Sequence, residues 1–478
     1  MQKAKDNHTV LKASVVYIIV SLINKGIGII TVPIFTRLLT VEEMGTVTTW
    51  ISWMTMLLPI TSLSLASGSM YIAMNEYKGN ERKKYQSSVL SLATISSVLC
   101  LIVYLIFSDF FNSYLTLSTP LMVFMFAYLM FSPSLEMWLI QQRYVYNVKG
   151  MAIVTLVSNI SASAFSVLLI LLLKHSGLDL GEIRLYSTYT VLLLFGLFFF
   201  IYILVNGKVF YSKKYWSFGL KISVPLMVHT LAKNILDVSD RSMISLYCGK
   251  GDAGIYGTIY SISALSLVIW SSINNAFVPY LYEKLENNKK EDINEICKIT
   301  YIIIIVYAAV CIGLTAIAPE IIQILTTDEY FSAVYIIPPI ATGIYLTCIY
   351  NIFANVILFH KKSVGVMVAT VIASIINIVL NAIFIPMFGY VAASYTTLIA
   401  FVVLSVFQGI VMKIVHKEKL YDMKLIILIT CVVVLICLSF NLVYNSIIIR
   451  YSMIIILFVV MFIFRKKLIK IFKKIKSR

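Results

Sequence analysis

The sequence predicts an all-α integral membrane protein with about fourteen transmembrane helices. Three observations carry that prediction: a composition too apolar for a water-soluble body, apolar runs that recur at membrane-spanning length, and basic residues confined largely to alternate loops. Of the 478 residues, 60% are hydrophobic and only 13% charged, with a mean hydropathy of +0.91. Soluble domains average roughly 45–50% apolar and about 25% charged residues. This chain has too little polar side chain to cover a soluble surface of its size.

A membrane helix needs about 20 mostly apolar residues to cross roughly 30 Å of hydrocarbon. By that measure the spans fall near 13–35, 43–66, 87–107, 120–142, 150–173, 185–205 and 218–239. Seven more fall near 253–275, 297–318, 332–355, 364–385, 390–412, 425–443 and 446–464. The N-terminal apolar run continues to about Phe35 without a small-residue cleavage site, so it reads as an uncleaved first helix rather than a secretory signal.

Cytoplasmic loops are enriched in Lys and Arg. With the N-terminus inside, the outer segments hold only Arg37, Lys174, Arg184, Arg241, Lys250 and Arg450 of the 39 basic residues. Lys25, Lys221 and Lys233 fall within or at the ends of spans, and the cytoplasmic segments hold the rest. A missed or surplus helix would scramble this alternation, so both termini are expected in the cytoplasm of a bacterial inner membrane.

The net charge of +17 is distributed as short clusters between apolar segments and as the terminal run "RKKLIKIFKKIKSR". That pattern faces anionic lipid headgroups and argues against a nucleic-acid partner. The seven cysteines form no CxxC pair and no Cys/His ligand spacing, so neither a metal site nor a cofactor is expected. Every loop is short, which leaves no room for a soluble catalytic domain; an enzyme is not expected.

Displacing the chain by 209 residues aligns Leu11–Ser14 with Leu220–Ser223 and Met44-Gly45 with Ala253-Gly254. It also aligns Asn24-Lys25 with Lys233-Asn234, the same pair in reversed order. Two six-helix halves follow, at 1–205 and 218–412, joined by the basic linker "NGKVFYSKKYWS" at 206–217. Two additional helices and a basic tail occupy 413–478. Repeats flanking a midplane site are a transporter plan.

Ionisable residues inside the membrane mark candidate sites, because charge at the bilayer centre costs about 2.5–3.5 kcal/mol or more. Lys25 lies mid-way along the first span, either in a cavity or paired with a neighbouring helix. His229, Lys233, Asp237 and Asp240 fall within roughly 80° of arc on one helix face. Lys233 and Asp237, at i and i+4, either pair structurally or line a water-accessible cavity, and His229 reads as a hydrogen-bonded packing residue. Arg37 and Arg241 are expected in comparable outer turns of the two halves, as cavity cations or as interfacial anchors. Glu136 is a further intramembrane charge that can pair with a lysine. Gly26, Gly28, Pro33 and Pro225 are expected to permit bending of the first helix of each half.

The stretches "PIFTRLLTVEEMGTVTTW", "DRSMISLYCGKGDAGIYGTIYSI" and "NNAFVPYLYEKLE" resemble the Wzx-type polysaccharide flippases of the multidrug/oligosaccharidyl-lipid/polysaccharide exporter superfamily. The resemblance implies two six-helix bundles arranged as a V around a cationic cavity. It implies translocation of undecaprenyl-diphosphate-linked O-antigen or capsule repeat units from the cytoplasmic to the outer leaflet by alternating access. Lys25, Arg37, Lys233 and Arg241 would then supply cavity charge, with Asp237, Asp240, His229 and Glu136 pairing or coupling. A polysaccharide polymerase and a chain-length regulator are the implied partners, alongside membrane lipids. Three alternatives stay open: a lipid II flippase, an ion-coupled drug or metabolite antiporter, and a membrane-embedded polymerase. The antiporter would want an acidic cavity, and the polymerase larger outer loops.

Overall fold

The computed structural model describes residues 7–287, 289–416 and 420–456; among them every regular element is a helix. The chain divides into two compact units, Met1–Thr258 and Ile259–Arg478. Eleven helical stretches among the described residues are long and apolar enough to cross a membrane, so the protein is a multi-pass membrane protein. Two further helices of spanning length, at Val41–Thr61 and Lys213–Tyr247, are not among those eleven because they carry more polar residues. The fourteenth expected span, 446–464, is described only as the helix Ile447–Ile456; its remainder lies outside the described residues.

In the first unit the helices are α1 (Asn7–Leu38), α2 (Val41–Thr61), α3 (Ser69–Glu76), α4 (Asn80–Ile106), α5 (Ser108–Leu115), α6 (Thr119–Tyr144), α7 (Val148–Leu173), α8 (Leu180–Gly207) and α9 (Lys213–Tyr247). Helix α10 (Lys250–Ser263) begins in this unit and ends in the next. The second unit continues with α11 (Ser266–Asn287), α12 (Lys290–Ala316), α13 (Ala318–Leu325), a 3₁₀ run (Asp328–Ile336), α14 (Ile337–Phe359), α15 (Ser363–Phe388), α16 (Tyr390–Val415), α17 (Met423–Val443) and α18 (Ile447–Ile456).

The repeat is visible in this order. The 209-residue offset carries the end of α1, Leu38, onto the end of α9, Tyr247, and the start of α2, Val41, onto the start of α10, Lys250. Helices α4 and α12 each have 27 residues, α5 and α13 each 8, and α7 and α15 each 26.

Local chemistry sets the helix ends. Thr40 caps α2, its hydroxyl accepting from Glu43 N while the Glu43 carboxylate accepts from Thr40 N, a closed capping box. The other Glu43 oxygen accepts from Leu180 N at 2.8 Å, so one carboxylate serves the N-termini of α2 and α8. Asp179 also caps α8, Asn147 caps α7 and Asp422 caps α17. Trp50 of α2 is fully buried, donates to Leu121 O of α6 at 3.1 Å and packs on Tyr189 of α8. That contact anchors one core of the unit around Leu121, Met125 and Leu129. A second core gathers Tyr77, Tyr85 and Tyr215, and Trp216 of α9 donates to Ser88 O of α4 at 2.8 Å.

The second expected span, 43–66, does not run as one helix. Residues 62–68 form a turn between α2 and α3, with Leu63 and Ser64 in left-handed backbone. Ser96 and Ser97 of α4 donate to Ile60 O and Thr61 O, carbonyls beside the break; Ile60 O also accepts from Leu63 N, so the two serines add donors where the helical ladder of α2 stops. The eighth expected span, 253–275, is likewise interrupted, at Ala264 and Leu265.

Candidate functional site

The ionisable face foreseen on residues 229–240 forms on α9, a single 35-residue helix. Lys233 Nζ lies 3.4 Å from Asp237 Oδ2, with the two side chains 52% and 35% exposed. His229 is half-buried one turn before Lys233, and its Nδ1 has no hydrogen-bond partner among the described residues. One turn beyond Asp237 the environment changes. Asp240 is 1% exposed and accepts from Tyr256 Oη of α10 at 2.5 Å and from Arg241 N at 2.8 Å. Arg241 is buried beside it. The face therefore grades from a half-exposed cation–carboxylate pair to a buried, hydrogen-bonded carboxylate with an adjacent guanidinium.

Arg241 does not occupy an outer turn as expected. It lies inside α9, whose last residue is Tyr247, and the turn itself is confined to Cys248 and Gly249. Arg37 does sit at the end of α1, exposed, donating to Pro33 O at 2.9 Å. The two arginines thus hold different positions, because α9 keeps its helical hydrogen bonds past the point where the charged sequence suggested a turn.

Lys25 is half-buried on α1 and joins no ion pair among the described residues. Its neighbour Asn24 contacts Asn159 of α7, amide to amide, at 3.5 Å. Gly26 and Gly28 have open space where a Cβ would stand, so no neighbour's close approach requires them. Glu136 is exposed on α6, two residues before Trp138, which packs on Phe199 of α8.

Several contributors carried no sequence signal that pointed to them. Pro59 of α2 has no N–H to offer, which frees the carbonyl of Thr55 four residues earlier. Asn234 of α9 fills that vacancy, donating to Thr55 O at 2.7 Å. Asn234 thereby ties the ionisable helix to α2 at the level of Lys233. Arg184 of α8 stacks its guanidinium 3.7 Å from the centroid of the Phe35 ring and contacts Met44 Sδ. Tyr256, one of thirty tyrosines, could not be singled out without the fold.

In the second unit, Asn377 and Asn381 of α15 form a buried network with Thr396 and Thr397 of α16. Such fully hydrogen-bonded polar contacts hold membrane helices together. Helices α14, α16 and α17 enclose a groove of about 590 Å³, lined by apolar side chains such as Phe353, Val406, Ile427 and Leu435, with Lys413 as its cation.

The comparisons with known proteins agree with this architecture. The family described as "Polysaccharide biosynthesis protein" matches residues 10–285, and the MatE family matches residues 225–383. A probable low-salt glycan biosynthesis flippase, Agl15 of Haloferax volcanii, is 23% identical over 172 residues, and the match spans 36% of each chain. Among solved structures, lipid II flippase MurJ in an inward closed conformation aligns with a TM-score of 0.65 and 16% identity, covering 94% of this chain and 99% of that one. A multidrug resistance MATE family transporter of the MOP superfamily in an inward-facing conformation aligns at 0.59 and 13% identity, covering 83% and 96%. At these identities the likeness shows a shared fold. The match over residues 10–285, more than half of the sequence, shows that the chain belongs to the polysaccharide biosynthesis protein family.

Proposed function

We propose that the protein is a flippase that carries a lipid-linked oligosaccharide, joined to undecaprenyl through a diphosphate, from the cytoplasmic to the outer leaflet. Membership of the polysaccharide biosynthesis protein family supports a glycan cargo, and half-buried Lys25, which joins no ion pair among the described residues, is the observation that carries the reading. A diphosphate and a glycan cannot cross hydrocarbon, whereas the polyprenyl tail remains in lipid. A protein need only shelter the headgroup and offset its charge, and a lysine with no carboxylate partner among the described residues is available for that. Lys233, Arg37 and Arg241 are further candidate cations, and Asp237, Asp240, His229 and Glu136 tune or couple them. The working halves in this reading are 1–205 and 218–412, with 206–217 as a cytoplasmic linker, 413–478 as an accessory segment, and both termini in the cytoplasm.

Deletion of the gene, followed by analysis of surface glycan and of membrane-bound lipid-linked repeat units, tests the reading. Loss of surface glycan with accumulation of lipid-linked units on the cytoplasmic side is expected. Normal surface glycan in a strain without a redundant exporter refutes it. Complementation of a lipid II export defect separates peptidoglycan cargo from other glycans.

A further inference from the structure

The groove between α14, α16 and α17 lies wholly within the second unit. Leu346, Ile349 and Phe353 of α14 are buried and form its floor, while Val406 of α16 and Ile427 and Leu435 of α17 stand exposed along its rim. Gly409 lets the walls close on that floor: a Cβ there would lie 3.2 Å from Met423 Cε and 3.3 Å from Phe353 Cε2. The two hydroxyls in the lining are engaged with the protein. Ser405 donates to Phe401 O at 2.8 Å, and Thr430 shares a hydrogen bond with Tyr345 Oη at 3.4 Å. Such walls give a sugar or other polar ligand little in exchange for its water, so the occupant they suit is apolar.

The groove also has the depth of one leaflet. Its lining runs from Val402 to Lys413 on α16 and from Met423 to Leu435 on α17. At 1.5 Å per residue these stretches are about 16 and 18 Å long, close to half of a hydrocarbon core of roughly 30 Å. Both begin at the connection between α16 and α17 and stop partway along their helices, near the bilayer midplane. The cation stands at the headgroup end. Lys413 is in the last turn of α16, exposed, and joins no ion pair among the described residues. Lys424, in the first turn of α17, is exposed beside the same connection, where Asp422 caps the helix by accepting from Lys424 N.

We propose that this groove binds an anionic phospholipid of the surrounding bilayer, with an acyl chain along α14 and the phosphate at Lys413. A lysine near the membrane surface enriches anionic lipid about fivefold, whereas a zwitterionic lipid gains less from it. An undecaprenyl chain is much longer than the groove. The site is independent of the cargo, so its assay reads lipid contact rather than transport.

The full chain is reconstituted into vesicles of phosphatidylcholine and phosphatidylglycerol, with bromine on the acyl chains of one lipid or the other. Leu435→Trp places an indole at the deep end of the groove, and the emission of the parent is subtracted. Brominated phosphatidylglycerol is expected to quench that indole about fivefold more strongly, per mole fraction, than brominated phosphatidylcholine. Lys413→Gln should bring the ratio close to one. Ile375→Trp, exposed on α15, which contributes nothing to the lining, should show a ratio near one from the start. Val406→Phe, which fills the groove, should lower quenching of the Leu435→Trp indole by phosphatidylglycerol to the Ile375→Trp level. If Leu435→Trp fails to accumulate, Ile410→Trp on the α16 side takes its place. Equal quenching by the two lipids makes the groove ordinary lipid-facing surface, and no quenching by either means that protein covers it; both overturn the proposal. So does a preference abolished by undecaprenyl phosphate and not by excess unbrominated phosphatidylglycerol, which assigns the groove to a polyprenyl tail.

Discussion

Neutralising Lys233 separates a cargo-binding role from a structural one, because the structure limits how much its ion pair can stabilise the fold. The pair is an i, i+4 contact at 3.4 Å between side chains 52% and 35% exposed. Exposed helical pairs of this kind contribute about 0.3–0.5 kcal/mol, roughly a factor of two in a folding equilibrium. A charged hydrogen bond to a sheltered diphosphate is worth about 1.5–3 kcal/mol net, or roughly ten- to 150-fold in transport. Lys233→Gln should therefore insert normally, with a melting temperature in detergent close to the parent's, while export of lipid-linked units per amount of membrane protein falls at least tenfold. Asp237→Asn should not restore the loss when combined with Lys233→Gln, and Lys233→Arg should retain more activity although its planar head is not an equivalent donor. Lys25→Gln, with no carboxylate partner among the described residues to strand, should behave like Lys233→Gln. The four-variant cycle measures the coupling directly. Full recovery in the double variant would show that Lys233 serves only to neutralise Asp237, and the cargo argument for it would be wrong.

Three further perturbations address the frame around the site. Glu43→Ala removes acceptors for Thr40 N and Leu180 N, both at 2.8 Å, and should cost about 2 kcal/mol, read as a drop of about 2 °C in melting temperature for a chain of this length; an unchanged value contradicts the double-capping role. Glu320 of α13 receives both guanidinium nitrogens of Arg450, at 2.8 and 2.5 Å. Burial would raise its carboxyl, but the hydrogen bonds from Arg450, its own backbone and Tyr451 outweigh burial and hold it below the usual carboxylate range. This stabilisation is present above the unfolded carboxylate pKa and is lost as pH falls through the lower folded value. Hydrogen exchange over residues 444–451 should accelerate only in that acidic window, and at neutral pH in Glu320→Gln; exchange independent of both would refute the clasp. Reporters fused after residues 80, 212 and 290 should report cytoplasm, and those after 114, 180 and 328 the outside; inversion at two adjacent loops would mean a miscounted helix.

Most of the membrane helices were legible because eleven stretches among the described residues are long apolar runs, and the repeat because Met44-Gly45 and Ala253-Gly254 survive at one offset. The polar face of α9 was legible for the same reason, as charge stands out against hydrocarbon. What was not legible depends on partners distant in sequence. The break at residues 62–68 is tolerated because Ser96 and Ser97, more than thirty residues away, satisfy carbonyls beside it. Hydropathy records no such compensation, so the second span read as continuous. Pro59 announces an unfilled carbonyl on α2, but nothing local names Asn234 as the group that fills it. The burial of Asp240 depends on α10 and its Tyr256, which nothing local announces, and Arg241, buried beside it, was expected in an outer turn. The short α5 and α13 were read as loops because eight residues are too few to register as a span.

The most direct measurement is flipping by the purified protein itself. Reconstituted into vesicles with an undecaprenyl-diphosphate-linked oligosaccharide, the protein should expose inner-leaflet cargo to an enzyme or lectin added outside, at a rate proportional to protein content. The Lys25→Gln protein, equally well inserted, should do so at least tenfold more slowly. Cargo that remains protected at the rate of protein-free vesicles, with the wild-type protein folded and inserted, would contradict the account.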